Sequence, residues 1–179
     1  MKKIIHKCFF IWNFDKEEKW LNEMAAKGFI LNSVGFCRYE FDECIPGEYK
    51  ICMELLENKF KDTENINYIN FIEETGAEHI STYVRWAYFR KKTEGEDFRL
   101  FSDNASIVKH MTRIIHFTAL ICGLNLYTGC YNLFLYFYGG SWINLGGCIN
   151  LLLGIFIAIG LLWFIGKRKK IKAESQIFE

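Results

Sequence analysis

Two apolar runs near the C-terminus, Ile114–Tyr138 and Ile143–Gly166, constrain this chain more than any other feature. Neither holds an Asp, Glu, Lys or Arg. Each exceeds the ~20 residues that a helix rising ~1.5 Å per residue needs to cross a ~30 Å hydrocarbon layer. They are expected to be two transmembrane helices joined at Gly139-Gly140-Ser141-Trp142, with a folded extramembrane domain before them.

The net charge of +1 over 179 residues conceals an asymmetry. Residues 1–108 carry 15 Lys and Arg against 19 Asp and Glu, whereas residues 109–179 carry 7 against 2. The mildly acidic front part argues against a nucleic-acid partner. The basic residues flank the spans: Lys109 and Arg113 before the first, then Lys167, Arg168, Lys169 and Lys170 directly after the second. Positive flanks favour the cytoplasmic side, so the expected placement is the inner membrane with both termini cytoplasmic. The four residues of the 167–170 run, with Lys172, are candidates for anionic lipid headgroups, and equally for plain topological flanking. The basic start, Met1-Lys2-Lys3-Ile4-Ile5-His6, lacks the apolar stretch and cleavage site of a signal peptide.

Seven cysteines would suit a disulfide framework in an oxidising compartment, but the expected compartment is reducing. Cys37, Cys44 and Cys52 could gather as a metal site or serve as small buried apolar residues.

Within residues 1–92 the pattern reads β-α-β-β-α-β. Ile4–Phe14 is strand-like. Asp15 and Glu18 suit a capping box opening a helix with a Trp20, Leu21, Met24, Ala25 stripe, and Gly28 suits its left-handed end. Phe29–Phe41 reads as one strand with a bulge at Gly35, and Ile45-Pro46-Gly47-Glu48 as a type II turn. Tyr49–Leu56 alternates, with Lys50, Cys52 and Glu54 on the polar side. Asp62 or Thr63 opens a helix presenting Ile66, Ile69 and Ile72, and Glu78–Lys92 reads as one long strand. The order is the ferredoxin-like α+β arrangement, a four-stranded antiparallel sheet with both helices on one face. Residues 93–113 are expected to be a linker and amphipathic helix, Ser102 capping a helix continuous with the first span. The hairpin occupies 114–166, and 167–179 form a basic tail. No internal repeat is visible.

The run Glu18-Lys19-Trp20-Leu21-Asn22-Glu23-Met24-Ala25-Ala26-Lys27-Gly28-Phe29 resembles the signature of a bacterial family, the domain of unknown function 2812. Phe41–Tyr49, Trp86–Lys91 and Leu100–Asp103 resemble its further blocks, so the resemblance covers residues 4 to 110. It implies C-terminal membrane spans and a regulated accessory or sensory role near PadR-type transcriptional regulators. It implies no reaction, cofactor or catalytic residue.

The residues themselves carry no nucleotide-binding, nucleophile-elbow or metalloprotease motif. His6, His79, His110 and His116 lack metal-ligand spacing, and Glu17/Glu18 and Glu73/Glu74 read as solvated pairs. Phe10, Trp12, Tyr39, Tyr83 and Phe89 lie at strand positions where they could line the open sheet face, as a binding platform, a core or a dimer interface. In the spans, Asn132 and Asn150 fall at the same depth and could bond across the hairpin. Asn125, with Gly154 opposite, could bond across a homo-oligomer, and Ala119/Gly123 and Gly154/Ala158 offer small-residue faces.

The function expected is a non-enzymatic, membrane-anchored cytoplasmic module, using protein or small-ligand contacts on its open sheet face, with no cofactor. Its partners would be lipid, an unidentified protein and a second copy. An inner-leaflet enzyme acting on a lipid or peptide, and a dimeric regulator linked to a PadR-type system, are the alternatives.

Overall fold

The computed structural model describes residues 2–57, 62–93, 98, 100 and 103–177, the side chains of 175–177 excepted. It divides into two units, Met1–Ser102 and Asp103–Glu179.

The first unit is α+β and is built twice over. Strand β1 (Lys3–His6), helix α1 (Phe14–Ala26), β2 (Phe29–Gly35) and β3 (Arg38–Glu43) are followed by β4 (Tyr49–Leu55), α2 (Thr63–Glu74), β5 (Glu78–Tyr83) and β6 (Trp86–Lys92). Each β-α-β-β copy closes its own three-stranded antiparallel sheet with the last strand in the middle, β1-β3-β2 and β4-β6-β5. One shift of 48 positions carries Gly28 onto Gly76, the bulge at Asn32 onto that at Ile80, and Arg38 at the start of β3 onto Trp86 at the start of β6.

The four-stranded ferredoxin-like sheet is therefore corrected to two three-stranded sheets. Phe29–Phe41 and Glu78–Lys92 are not single strands but hairpins, turning at Phe36-Cys37 and Val84-Arg85. Cys37 and Val84 take φ of 49° and 58°. Left-handed turn positions normally advertise themselves with Gly or Asn, and neither turn has one. Gly35 ends β2 instead of bulging.

Other local signals read correctly. Gly28 (φ 84°) and Gly76 (φ 83°) end their helices, and Gly47 (φ 76°) sits in the expected turn, closed by Glu48 N–H to Ile45 O at 3.1 Å. A Cβ at Gly28 would also stand 3.0 Å from the Cys44 carbonyl oxygen. Asp62 caps α2 by accepting from the Glu64 N–H at 3.1 Å. The capping box on α1 does not form, because a 3₁₀ turn over Ile11–Asn13 feeds directly into the helix.

The Glu18 carboxylate is used elsewhere. β4 is an edge strand of its sheet, and α1 of the first copy covers that edge. Asn22 Nδ2 donates to Ile51 O at 2.8 Å, the Ile51 N–H donates to Asn22 Oδ1 at 2.9 Å, and the Met53 N–H donates to Glu18 Oε2 at 3.0 Å. Two side chains thus satisfy backbone groups that an open edge would leave to water. β4 is consequently buried on both faces from Ile51 to Leu55, Cys52 and Glu54 included, although its alternation suggested one polar face. Leu21, Met24 and Ala25 of α1 are buried, and α1 packs against β2 and β4. In the second copy Ile72 joins Leu56, Ala77, Ala87 and Phe89 in a core, with Ile69 partly buried against it, while Ile66 stays half exposed.

The second unit is a pair of helices, α3 (Asn104–Phe137) and α4 (Gly147–Ile177), joined through a 3₁₀ turn at Trp142–Gly146. Both helices are long and apolar enough to cross a membrane. α3 runs unbroken as expected, but its cap is Asp103, whose carboxylate accepts from the Ser106 N–H at 2.7 Å; Ser102 lies outside the described residues. α3 and α4 meet at glycines. A Cβ on Gly129 would stand 2.8 Å from Leu151 N and 3.0 Å from Gly147 O, and one on Gly147 2.8 Å from Gly129 O. Without side chains there, the backbones come close enough for dispersion contacts along their length.

Candidate functional site

The feature of the first unit that packing alone does not account for is a carboxyl buried between the sheets. Glu17, in the first turn of α1, is 8% exposed. Tyr39 Oη from β3 donates to Glu17 Oε1 at 2.7 Å, and Tyr88 Oη from β6 donates to the same oxygen at 2.8 Å. One side chain of α1 thereby joins a strand of each sheet. Both phenols use Oε1, and among the described residues no hydrogen bond reaches Oε2. Burial pushes the Glu17 carboxyl up from the usual range, against the pull of the two phenols, and no basic side chain contributes among the described residues. Burial and the Glu17 charge push Tyr39 and Tyr88 upward too, which keeps both phenols protonated as donors.

Tyr39 carries the arrangement outward. Its ring meets Trp20 edge-on at 5.0 Å and Phe9 at 6.3 Å, and Phe9 and Trp20 lie 5.5 Å apart. Trp20 sits one helical turn after Glu17 on the same face of α1. Over these rings lies an ammonium: Lys7 Nζ stands 4.6 Å from the Trp20 ring and 4.9 Å from the Phe9 ring. Phe9 and Trp20 are half-buried and Lys7 is exposed, so the cage faces solvent.

The segment holding Phe9 is tied down. The Lys7 N–H donates to Cys37 O at 3.1 Å, and Cys8 is bonded to Cys37, their Cα atoms 4.6 Å apart. This pairing departs from the expectation of unpaired cysteines, because the unforeseen hairpin turn carries Cys37 to the end of β1. Cys44 and Cys52 do not join it, and among the described residues no group of three or more metal-ligating side chains occurs.

An open groove of about 700 Å³ lies beside β3, lined by Ile30, Asp42, Cys44, Glu48, Tyr49 and Arg90 among others. Its guanidinium is committed: Arg90 pairs with Glu78 through Nε at 2.7 Å and Nη2 at 2.8 Å, and reaches Leu31 O at 3.4 Å.

The aromatic platform expected on an open sheet face is not assembled. Tyr39 and Phe89 are 4% and 0% exposed, each inside the core of its own copy. Phe10 stacks on Trp12 at 5.1 Å in the connection before α1, and Tyr83 ends β5 half-buried. Tyr39 meets Trp20 of α1, Phe89 belongs to the core of the second copy, and Phe10 and Trp12 fall outside the strands. Nor are Glu17 and Glu18 solvated, since both are engaged inside the domain. Glu17, Trp20, Leu21 and Met24 follow helical spacing, and that placement of a Glu on an apolar stripe was the available sequence signal.

In the second unit, Asn132 Nδ2 donates to Thr128 O at 2.8 Å and Asn125 Nδ2 to Ile121 O at 2.9 Å, each within its own helix. The expected Asn132–Asn150 bond is not made; Asn132 instead faces Gly147, and Gly154 faces Leu126. Cys122 Sγ–H donates to Gly154 O at 3.4 Å. Gly123 has open space around it and takes no part in the contact. Of the basic residues, Arg168 Nη1 donates to Thr112 Oγ1 at 3.2 Å and Lys167 lies over Trp163 at 6.0 Å, while Lys169 and Lys170 are exposed.

A family model described as protein of unknown function (DUF2812) matches residues 13–124. The chain belongs to the DUF2812 family. The DUF2812 match takes in Glu17, Trp20, Tyr39 and Tyr88 and continues into α3, whereas α4 lies beyond it. No curated protein and no solved structure matches this DUF2812 chain.

Proposed function

We propose that this chain is a non-enzymatic, membrane-anchored sensory or accessory module. The duplicated domain does the recognition, and α3 and α4 form a transmembrane hairpin with both ends in the cytoplasm. The observation that carries the reading is Glu17: a single buried carboxyl on α1 holds Tyr39 of one sheet and Tyr88 of the other. A ligand or protein that displaces α1 must disturb both sheets and the β4 edge together, which is the coupling a sensor requires.

The placement rests on charge. Lys109 and Arg113 precede the apolar part of α3, Lys167–Lys170 follow that of α4, and the connecting turn is uncharged. The Cys8–Cys37 bond pulls the other way, since disulfides persist on oxidising sides of membranes. We favour the charge argument because the backbone bond from Lys7 to Cys37 brings the two thiols together whether or not they are oxidised.

The test uses the full chain in its native membrane. Reporters at either end should be active only on the cytoplasmic side, and crosslinking should capture a partner that an Asn22→Ala variant retains poorly. A reporter active outside the cell refutes the placement. A turnover reaction abolished by one extramembrane substitution refutes the non-enzymatic reading.

A further inference from the structure

The two copies of the β-α-β-β unit serve as controls for each other. The shift that superposes their glycines and bulges carries Glu17 onto Asn65, Trp20 onto Tyr68 and Tyr39 onto Ala87. Asn65 is 3% exposed, so the same place in the second copy is buried and holds a neutral amide. The architecture of the unit therefore does not demand an ionisable group there. A carboxyl shielded from water and bonded, among the described residues, only to neutral phenols costs free energy that an amide avoids. Tyr39, the buried ring that meets Trp20 edge-on, has only a methyl group as its counterpart. The second copy does bury a carboxyl of its own, Glu54, to which Tyr68 Oη donates, but it stands on a strand and not on the helix. Phe9, Trp20, Tyr39 and Glu17 form a constellation peculiar to the first copy.

The chemistry of that constellation is specific. Aromatic faces attract a cation through their quadrupoles, most strongly for Trp, and a poorly hydrated cation gains most because it loses least on leaving water. When ionised, the Glu17 carboxyl, one oxygen of which takes no hydrogen bond among the described residues, supplies a counter-charge. The ammonium already above Phe9 and Trp20 belongs to Lys7. Lys7 is not among the groups that act on Glu17; its ammonium lies over the two ring faces instead.

We propose that Phe9, Trp20, Tyr39 and Glu17 form a binding site for a small organic cation, a quaternary or alkylated ammonium, and that Lys7 fills its mouth in the ligand-free chain. The proposal rests on the sensory reading above and names its ligand class. Binding displaces the Lys7 side chain to solvent and seats the cation over Phe9 and Trp20, one helical turn from the carboxyl that links α1 to both sheets.

Calorimetric titration of choline into the full chain in an uncharged detergent tests this, with 3,3-dimethylbutan-1-ol as the neutral probe of the same shape. Choline should bind saturably, one per chain, and the alcohol about tenfold more weakly or worse, the difference expected of a cation among aromatic rings and a carboxylate. Lys7→Gln, an exposed change that spares the fold, should tighten choline about threefold to tenfold by removing the competing ammonium. Glu17→Gln should weaken it about tenfold or more while the circular dichroism spectrum is unchanged; should that variant not fold, the Lys7 arm decides. Equal affinity for choline and the alcohol, an unchanged affinity in Lys7→Gln, or no saturable binding to either form overturns the site. None of these outcomes touches the module reading, which is decided by membrane placement and partner capture.

Discussion

Replacing Asn22 by Ala tests whether α1 holds the edge of β4. The amide of Asn22 makes two bonds to the backbone of Ile51, at 2.8 and 2.9 Å, and a third to Glu18 O at 2.9 Å within its own helix. Truncation removes the first two and leaves a strand N–H and C=O facing the void. Leaving a buried polar group unpaired costs about 1–3 kcal/mol, and Asn22 is half-buried, so water replaces part of what is lost; the expected destabilisation is about 2–3 kcal/mol. The assay is amide hydrogen exchange of the full chain in detergent, read at Ile51 and Met53. About 2 kcal/mol corresponds to roughly thirtyfold faster exchange at Ile51 if that amide opens by release of α1. Asn22→Asp keeps an acceptor for the Ile51 N–H and should fall between. Glu18→Gln retains an acceptor for the Met53 N–H and should cost less than about 1 kcal/mol. Ile51 and Met53 exchanging within twofold of wild type in Asn22→Ala would falsify the edge-covering role.

Three more outcomes follow from the same geometry. Because the folded-state pKa of Glu17 is raised above 4.5, its contribution to stability is fully present below that pH and is lost as pH rises through the raised value. The non-titrating Glu17→Gln variant should therefore gain on wild type across that window, and parallel stability curves from denaturant melts would contradict it. Gly129→Ala should loosen the helix pair by about 1–3 kcal/mol, since the new methyl meets backbone atoms of α4, whereas Gly123→Ala, in open space, should change thermal stability in detergent little. In chain purified in air, alkylation followed by mass spectrometry should modify Cys8 and Cys37 only after reduction, while Cys44, free and outside the spans, is modified without it; free Cys8 in unreduced chain would remove the bridge.

Much of the local structure was legible because it depends on neighbours in the chain. The Gly28 and Gly76 stops, the Gly47 turn, the Asp62 cap and the unbroken α3 follow from backbone freedom, capping and apolar length. The hairpins at Phe36-Cys37 and Val84-Arg85 were not, as their left-handed residues are Cys and Val. Missing two turns concealed two strands, and with them the duplication, whose copies agree in geometry far more than in residue type. The candidate site suffered the same way: Glu17 and Trp20 share a helix face, but Phe9, Tyr39 and Tyr88 reach them only through the strand order.

The chain by itself determined an acidic α+β unit followed by two helices long and apolar enough to span a membrane, since hydropathy, helix length and capping act within a few turns of backbone. Only the tertiary structure decided that α1 of one copy guards a strand of the other, and that a carboxyl twice bonded by phenols lies beneath an aromatic cage. Those arrangements join residues up to 71 positions apart, and no local propensity encodes which strand a helix will meet.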